Sequence, residues 1–131
     1  MRSTSITISA RALTHNARLI RSSLPDNVRL MAVVKADAYG HGLTFAARAF
    51  LDGGAQLLAV AIAEEAVKLR EAGFDCPILI LGGAEESSLD EAVRIGASQS
   101  VFTPSMLKTM EKAAQRYNRK AKAHLKIDTG M

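Results

Sequence analysis

At 131 residues the chain has the size of one compact domain, and its 48% hydrophobic and 23% charged residues exclude a disordered polypeptide. Seventeen basic against thirteen acidic residues leave a net charge of +4, which suits an anionic small molecule and a nucleic acid alike. No aromatic residues interleave with the basic ones as a base-stacking surface requires, the single cysteine (Cys76) excludes an intrachain disulfide, and MRSTSITIS lacks the apolar run of a signal peptide or a membrane span.

Ser9 is placed to cap a first helix whose Leu13, Ala17, Ile20 and Leu24 share one face, with Pro25 beyond its end. Leu30–Val34 is a short, almost wholly apolar run, the pattern of a strand buried on both faces. A helix over Leu43–Leu51 stops at Gly53-Gly54, and a second strand follows over Leu57–Ile62. The helix Ala63–Ala72 ends at Gly73, which tolerates the positive φ of a helix terminus. Strands are predicted at Pro77–Leu81 and, more weakly, at Gln99–Phe102. Thr103-Pro104 supplies an N-cap and a first-turn proline to a helix that aligns Leu107, Met110, Ala114 and Tyr117, and Ala121–Ile127 closes the series as a strand. The basic residues Arg18 and Arg21, and Arg116, Arg119, Lys120 and Lys122, read as solvated helix faces and charges placed near helix C-termini.

Strand starts recur about every 20–25 residues, the repeat of a parallel α/β fold. Doubly wound sheets and (β/α)8 TIM-type barrels both produce it. A whole barrel takes about 250 residues, so in that architecture this chain supplies about five of the eight βα units. Its last residues, Thr129-Gly130-Met131, stand just past a strand.

Chemistry concentrates in VVKADAYGHG, residues 33–42. Alternation puts Met31, Val33 and Lys35 on one face, with Lys35 at the carboxyl end of its strand, where barrel enzymes place catalytic groups. A lysine in apolar company has its charged form disfavoured, and the neutral amine is the form that combines with an aldehyde cofactor. Tyr39, four residues on, is positioned to return its hydroxyl over the same site, and Gly40 and Gly42 let the backbone turn tightly. Strand-end lysines also serve simply to reach water, and the residues alone leave both readings open. His15, His41 and His124 read as structural, although His124 shares a face with Lys126 and Asp128; with one cysteine they have no metal-ligand spacing, and no metal is expected. Gly82-Gly83 lacks the arrangement of a dinucleotide-binding loop.

VVKADAYGHG resembles the pyridoxal-phosphate lysine motif of the alanine racemase family, and KIDTGM (residues 126–131) resembles a second motif of the same family about 90 residues later. GGAQLLAVAIAEEAVKLREAG and PILILGG follow the family's style between them, and ALTHN does so more loosely. The resemblance covers nearly the whole chain. It implies the amino-terminal part of a (β/α)8 barrel, residues 1–131, without the family's carboxy-terminal β-domain. It implies pyridoxal 5′-phosphate as cofactor, with Lys35 as the lysine that holds it and acts as base or acid on one face of the substrate Cα. Tyr39 matches the tyrosine that contacts the cofactor phosphate. Lys126 matches a lysine often carbamylated, and Met131 lies in the substrate-site vicinity, just before an arginine's motif finishes. The family's opposite-face base is a tyrosine of the partner subunit, which neither Tyr39 nor Tyr117 matches.

The implied parent activity interconverts L- and D-alanine, supplying D-alanine to the cell wall from a cytoplasmic homodimer. A polypeptide of these residues alone is expected to be inactive, and to self-associate or pair with the missing remainder; no nucleic acid and no membrane are expected as partners. Two other readings stand beside it: a non-catalytic pyridoxal-phosphate-binding barrel protein, and a basic α/β binding module that takes no cofactor.

Overall fold

A computed structural model describes residues 4–130. Ser9 caps α1 (Ala10–Ser22), its Oγ accepting the Ala12 N–H and so satisfying one of the donors a helix start leaves free. There follow β1 (Met31–Val33), α2 (Lys35–Gly40), α3 (Leu43–Asp52), β2 (Leu57–Val60), α4 (Ala63–Glu71) and β3 (Ile78–Ile80). The chain continues through α5 (Glu86–Arg94), β4 (Ser98–Val101), α6 (Pro104–Arg116) and β5 (Lys122–Leu125). β1, β3 and β5 lie inside their predicted runs, β2 starts with its run and ends two residues earlier, and β4 is shifted one residue toward the amino terminus. Thr103 caps α6 through its Oγ1 and Pro104 opens it, as the sequence indicates.

Two helices are not legible in the sequence. α5 starts without a side-chain cap and rests on only Leu89, Ala92 and Val93, with serines and acidic residues around them. α2 is a local backbone feature with no apolar period, described below.

The five strands are all parallel and lie in the order β1-β2-β3-β4-β5. A doubly wound sheet reverses direction at a switch point. This one never does, so the architecture is the barrel type. Right-handed crossovers between successive neighbours put the helices on one face. Accordingly α3 touches α4, α4 touches α5 and α5 touches α6. Five βα units form an arc of a (β/α)8 barrel.

The core lies between sheet and helices. Val34, Leu58, Val60, Ile78 and Ile80 pack on Ala46, Ala47, Ala63, Ala66 and Leu69. The alanines bring α3 and α4 close to the sheet, which compensates for a composition without tryptophan. A second centre joins Val101 to Leu89, Val93, Met106 and Met110. Burying each branched aliphatic side chain contributes about 1.5–3 kcal/mol relative to leaving it in water. Alternate residues, among them Met31, Val33, Leu57, Ala59, Leu79, Ser98, Ser100 and His124, belong to the opposite, inner face. There Val33 is 47% exposed, and every residue of β5 is exposed.

Three of the basic residues, Arg21, Arg116 and Arg119, are engaged where helices end. Arg119 donates from Nη1 to the Arg94 carbonyl at 2.6 Å, Arg21 to the Leu24 carbonyl past α1, and Arg116 pairs with Asp90. Among the described residues no helix is long and apolar enough to cross a membrane.

Candidate active site

The carboxyl ends of the five parallel strands share one rim. At β1 the ladder runs to Val33 opposite Ala59, and the Val34 N–H still donates to the Ala59 carbonyl at 2.8 Å. Val34 then leaves the extended region (φ −119°, ψ 18°). Lys35 therefore opens α2 instead of continuing the strict alternation expected from the sequence. It stands half-buried at the end of β1.

The next four residues are wound left-handed: Ala36, Asp37, Ala38 and Tyr39 have φ of 53°, 54°, 52° and 52°. Left-handed helical backbone costs about 1–2 kcal/mol per non-glycine residue, so it persists only where the surroundings hold it. Here they do. The Ala38 N–H donates to the Val34 carbonyl and the Gly42 N–H to the Asp37 carbonyl. Asp37 Oδ1 accepts the Leu43 N–H at 2.7 Å, serving the first turn of α3 where Gly42, at φ +86°, has no side chain to do so. His41 Nδ1 lies 2.8 Å from the Ala38 carbonyl, the structural part expected of it. Ala38 is buried in the core, whereas Tyr39 is 69% exposed.

One carboxylate crosses from α4 to this turn. Glu65 Oε1 accepts the Ala36 N–H at 2.6 Å, and Oε2 accepts the Ala61 N–H at 2.8 Å and the Ile62 N–H at 3.4 Å. Glu65 thereby joins the ends of β1 and β2. Further along the rim the Gly82 N–H donates to the Ala61 carbonyl, and Gln99 Nε2 donates to the Gly82 carbonyl at 2.8 Å. The Lys126 N–H donates to the Val101 carbonyl. The five strand ends are thus laced together in order. Beside Lys35 the rim is built of small residues, Ala61 and Gly82. A Cβ on Gly82 would lie 2.4 Å from the Ala61 carbonyl oxygen.

Lys126 is exposed just past β5, at the far end of the arc. With strands about 4.8 Å apart, the four spacings from β1 to β5 put it roughly 19 Å from Lys35 along the sheet. Lys35 and Tyr39 share one turn; Lys126 stands on the same rim, at the other end of the arc. Met131 lies outside the described residues. Clefts on the outer face, such as one of about 490 Å³ lined by Val67, Lys68, Ser88 and Glu91, do not contain Lys35.

Sequence reasoning did not single out Glu65, Asp37 or Gln99. Glu65 carried a usable signal: an acid at the third position of a helix, where its carboxylate can reach back to free N–H groups. Gln99 is the one amide in a buried strand, fully covered, and its role becomes visible only through its contact with Gly82.

Residues 8–131 match the family model described as "Alanine racemase, N-terminal domain". The chain belongs to the alanine racemase family. It is 44% identical over 126 residues to alanine racemase 1 of Oceanobacillus iheyensis, covering 96% of this chain and 34% of that one. It is 40% identical over 131 residues to alanine racemase 1 of Caldanaerobacter subterraneus, covering 100% of this chain and 34% of the relative. The crystal structure of alanine racemase from E. faecalis superposes with a TM-score of 0.86 at 39% identity, over 95% of this chain and 34% of that chain. The enzyme of the D-cycloserine producer Streptomyces lavendulae gives 0.87 at 37% identity, over 92% and 31%. The chain thus spans about a third of the length of these relatives. The family's solved members carry the barrel arc seen here.

Proposed function

We propose that this chain provides the cofactor lysine and one face of the proton-transfer machinery of an alanine racemase, which interconverts L- and D-alanine with pyridoxal 5′-phosphate. The observation that carries this reading is Lys35 at the carboxyl end of a parallel barrel strand, followed at once by a left-handed turn tied from two sides. The residues present fit such a group. Lys35 is half-buried at the strand end, and the turn sets the exposed Tyr39 four residues on, where a phosphate contact is proposed for its hydroxyl. When bound, the cofactor supplies an electron-withdrawing ring that acidifies the Cα proton of an amino acid joined to it. Lys35 Nζ holds the group, and during turnover takes a proton from, or returns it to, one face of Cα.

The opposite-face base is proposed to come from the second subunit of a homodimer, beyond the residues of this chain. Lys126, in carbamylated form, is proposed to steady a positively charged residue under the ring, with Met131 near the substrate. In this reading residues 1–131 are the amino-terminal barrel portion of a cytoplasmic enzyme that supplies D-alanine to the cell wall. A chain of these residues alone has no base for the second face and is expected not to racemise alanine.

Incubation with pyridoxal 5′-phosphate, reduction with borohydride and peptide mapping test the reading. The pyridoxyl group is expected on Lys35 Nζ in large excess over every other lysine. Even labelling of the surface lysines would return Lys35 to a solvated strand end.

A further inference from the structure

The strand end that presents Lys35 is under backbone strain, and only one side chain from elsewhere in the chain reaches the first strained residue among the described contacts. Ala36 sits at φ 53°, ψ 51°, immediately after the lysine. Its N–H points away from the β1–β2 ladder, and its partner is Glu65 Oε1 at 2.6 Å, 29 residues further along the chain. The other oxygen of the same carboxylate takes the Ala61 N–H at 2.8 Å. A carboxylate accepting from backbone donors just past two neighbouring strands fixes both the separation and the relative height of those strand ends. Charge-assisted bonds of this kind are shorter and stronger than neutral ones. Glu65 is itself held by the first turn of α4, whose Ala63, Ala66 and Leu69 are buried against the sheet. On the far side of the lysine from the buried Val34, the backbone is thus referenced to the core of α4 through this carboxylate.

We infer that Glu65 is the positioning residue for Lys35: its carboxylate, by clamping Ala36 to Ala61, holds the lysine in the orientation in which its amine meets an aldehyde cofactor. The inference rests on the reading of Lys35 given above. Glu65 touches neither cofactor nor substrate in this account. It acts through the backbone of Ala36, and it shares the clamp with Asp37, which anchors the other end of the turn at Leu43.

Three chains carry the test: Glu65→Asp, Glu65→Gln, and Glu64→Gln as a control that removes the same charge from an exposed neighbour. Asp keeps the negative charge at the start of α4 but is one methylene short of spanning Ala61 to Ala36. Gln keeps the length but offers an N–H where a second acceptor is needed. Two readouts are taken, neither of them activity. The first is the yield of pyridoxyl label on Lys35 at limiting pyridoxal 5′-phosphate. The second is hydrogen exchange of the Ala36 amide in protein without cofactor, compared with amides in the core of α4. Both Glu65 variants are expected to lower the Lys35 label roughly tenfold, the loss of about one charge-assisted hydrogen bond. Their Ala36 exchange should be faster by a similar factor, with α4 core amides little changed and the thermal midpoint lowered by only a few degrees, and Glu64→Gln should match the parent in every respect. If the parent chain fails to label Lys35, the reading of the lysine falls. If the parent labels Lys35 and either folded Glu65 variant labels it equally well, only the positioning role falls. Loss of the fold in both variants would also overturn it, since Glu65 would then serve the whole domain and not the lysine.

Discussion

Tyr117, at the end of α6, donates its hydroxyl to Asp90 Oδ2 at 2.6 Å, and Arg116 holds the other oxygen of the same carboxylate. The hydrogen bond to Asp90, chiefly, raises the tyrosine's pKa above its usual value, with desolvation and the nearby carboxylate charge adding to it. The folded chain therefore keeps this proton more tightly than the unfolded chain does. The bond's contribution is complete below the ordinary tyrosine range near pH 10, and is lost as pH rises through the higher folded value. Urea denaturation at a series of alkaline pH values should show this loss in the parent chain. Tyr117→Phe should be less stable at neutral pH and lack that part of the slope; an identical slope would remove Tyr117 as its source. The same scale decides how much of the site the sequence discloses. The strand end at Lys35 is legible because an apolar run leads to it and a tyrosine and two glycines follow. The contact of Glu65 with Ala36 beside it is not, because it spans 29 residues and no local pattern encodes which strand end a carboxylate will reach.

Helices with a capping residue and an apolar stripe, α1 and α6, and α4 with its terminating Gly73, could be read from sequence within a residue or two. α5, with its three buried residues and no side-chain cap, could not. α2 could not be anticipated for a different reason. Its winding opposes the intrinsic preference of Ala, Asp and Tyr and is imposed by partners outside it. The junction of α1 with α3 shows how sequence and packing meet. Gly53-Gly54 reads as a helix stop, but Gly53 has φ −84° and needs no unusual backbone freedom. What it needs is the absence of a side chain: a Cβ there would lie 2.5 Å from the Ala17 Cβ and 2.6 Å from the Thr14 carbonyl oxygen. Gly53→Ala should force α1 outward and cost roughly 1–3 kcal/mol, the range of overpacked cores. Thermal denaturation followed by circular dichroism would read this as a midpoint lower by several degrees; an unchanged midpoint would show that α1 yields freely.

At the scale of the molecule, five βα units leave two unpaired strand edges, β1 and β5, and an inner face on which Val33 is 47% exposed. Leu125 and Ile127 at the other edge are 71% and 72% exposed. Unpaired edges and contiguous apolar surface drive association. A purified polypeptide of these 131 residues should run above its monomer mass in light scattering, and adding a lysine at Val33 should reduce that association; a clean monomer would contradict the expectation. The strand spacing alone left the barrel and the doubly wound sheet open, because the choice depends on strand order; the resemblance of the two motifs pointed to the barrel, and the unbroken order of the strands agrees. The unbroken order has a kinetic consequence. Within this arc every strand after β1 pairs with the strand formed immediately before it, so the loops to be closed are all of similar, modest length. Structure can then grow in the direction of synthesis, each unit using the last as its template, with β1 through β3 forming a seed before β5 has left the ribosome. Opening should run the other way, from the exposed β5 inward, and amide exchange should slow progressively from β5 toward β2 and β3.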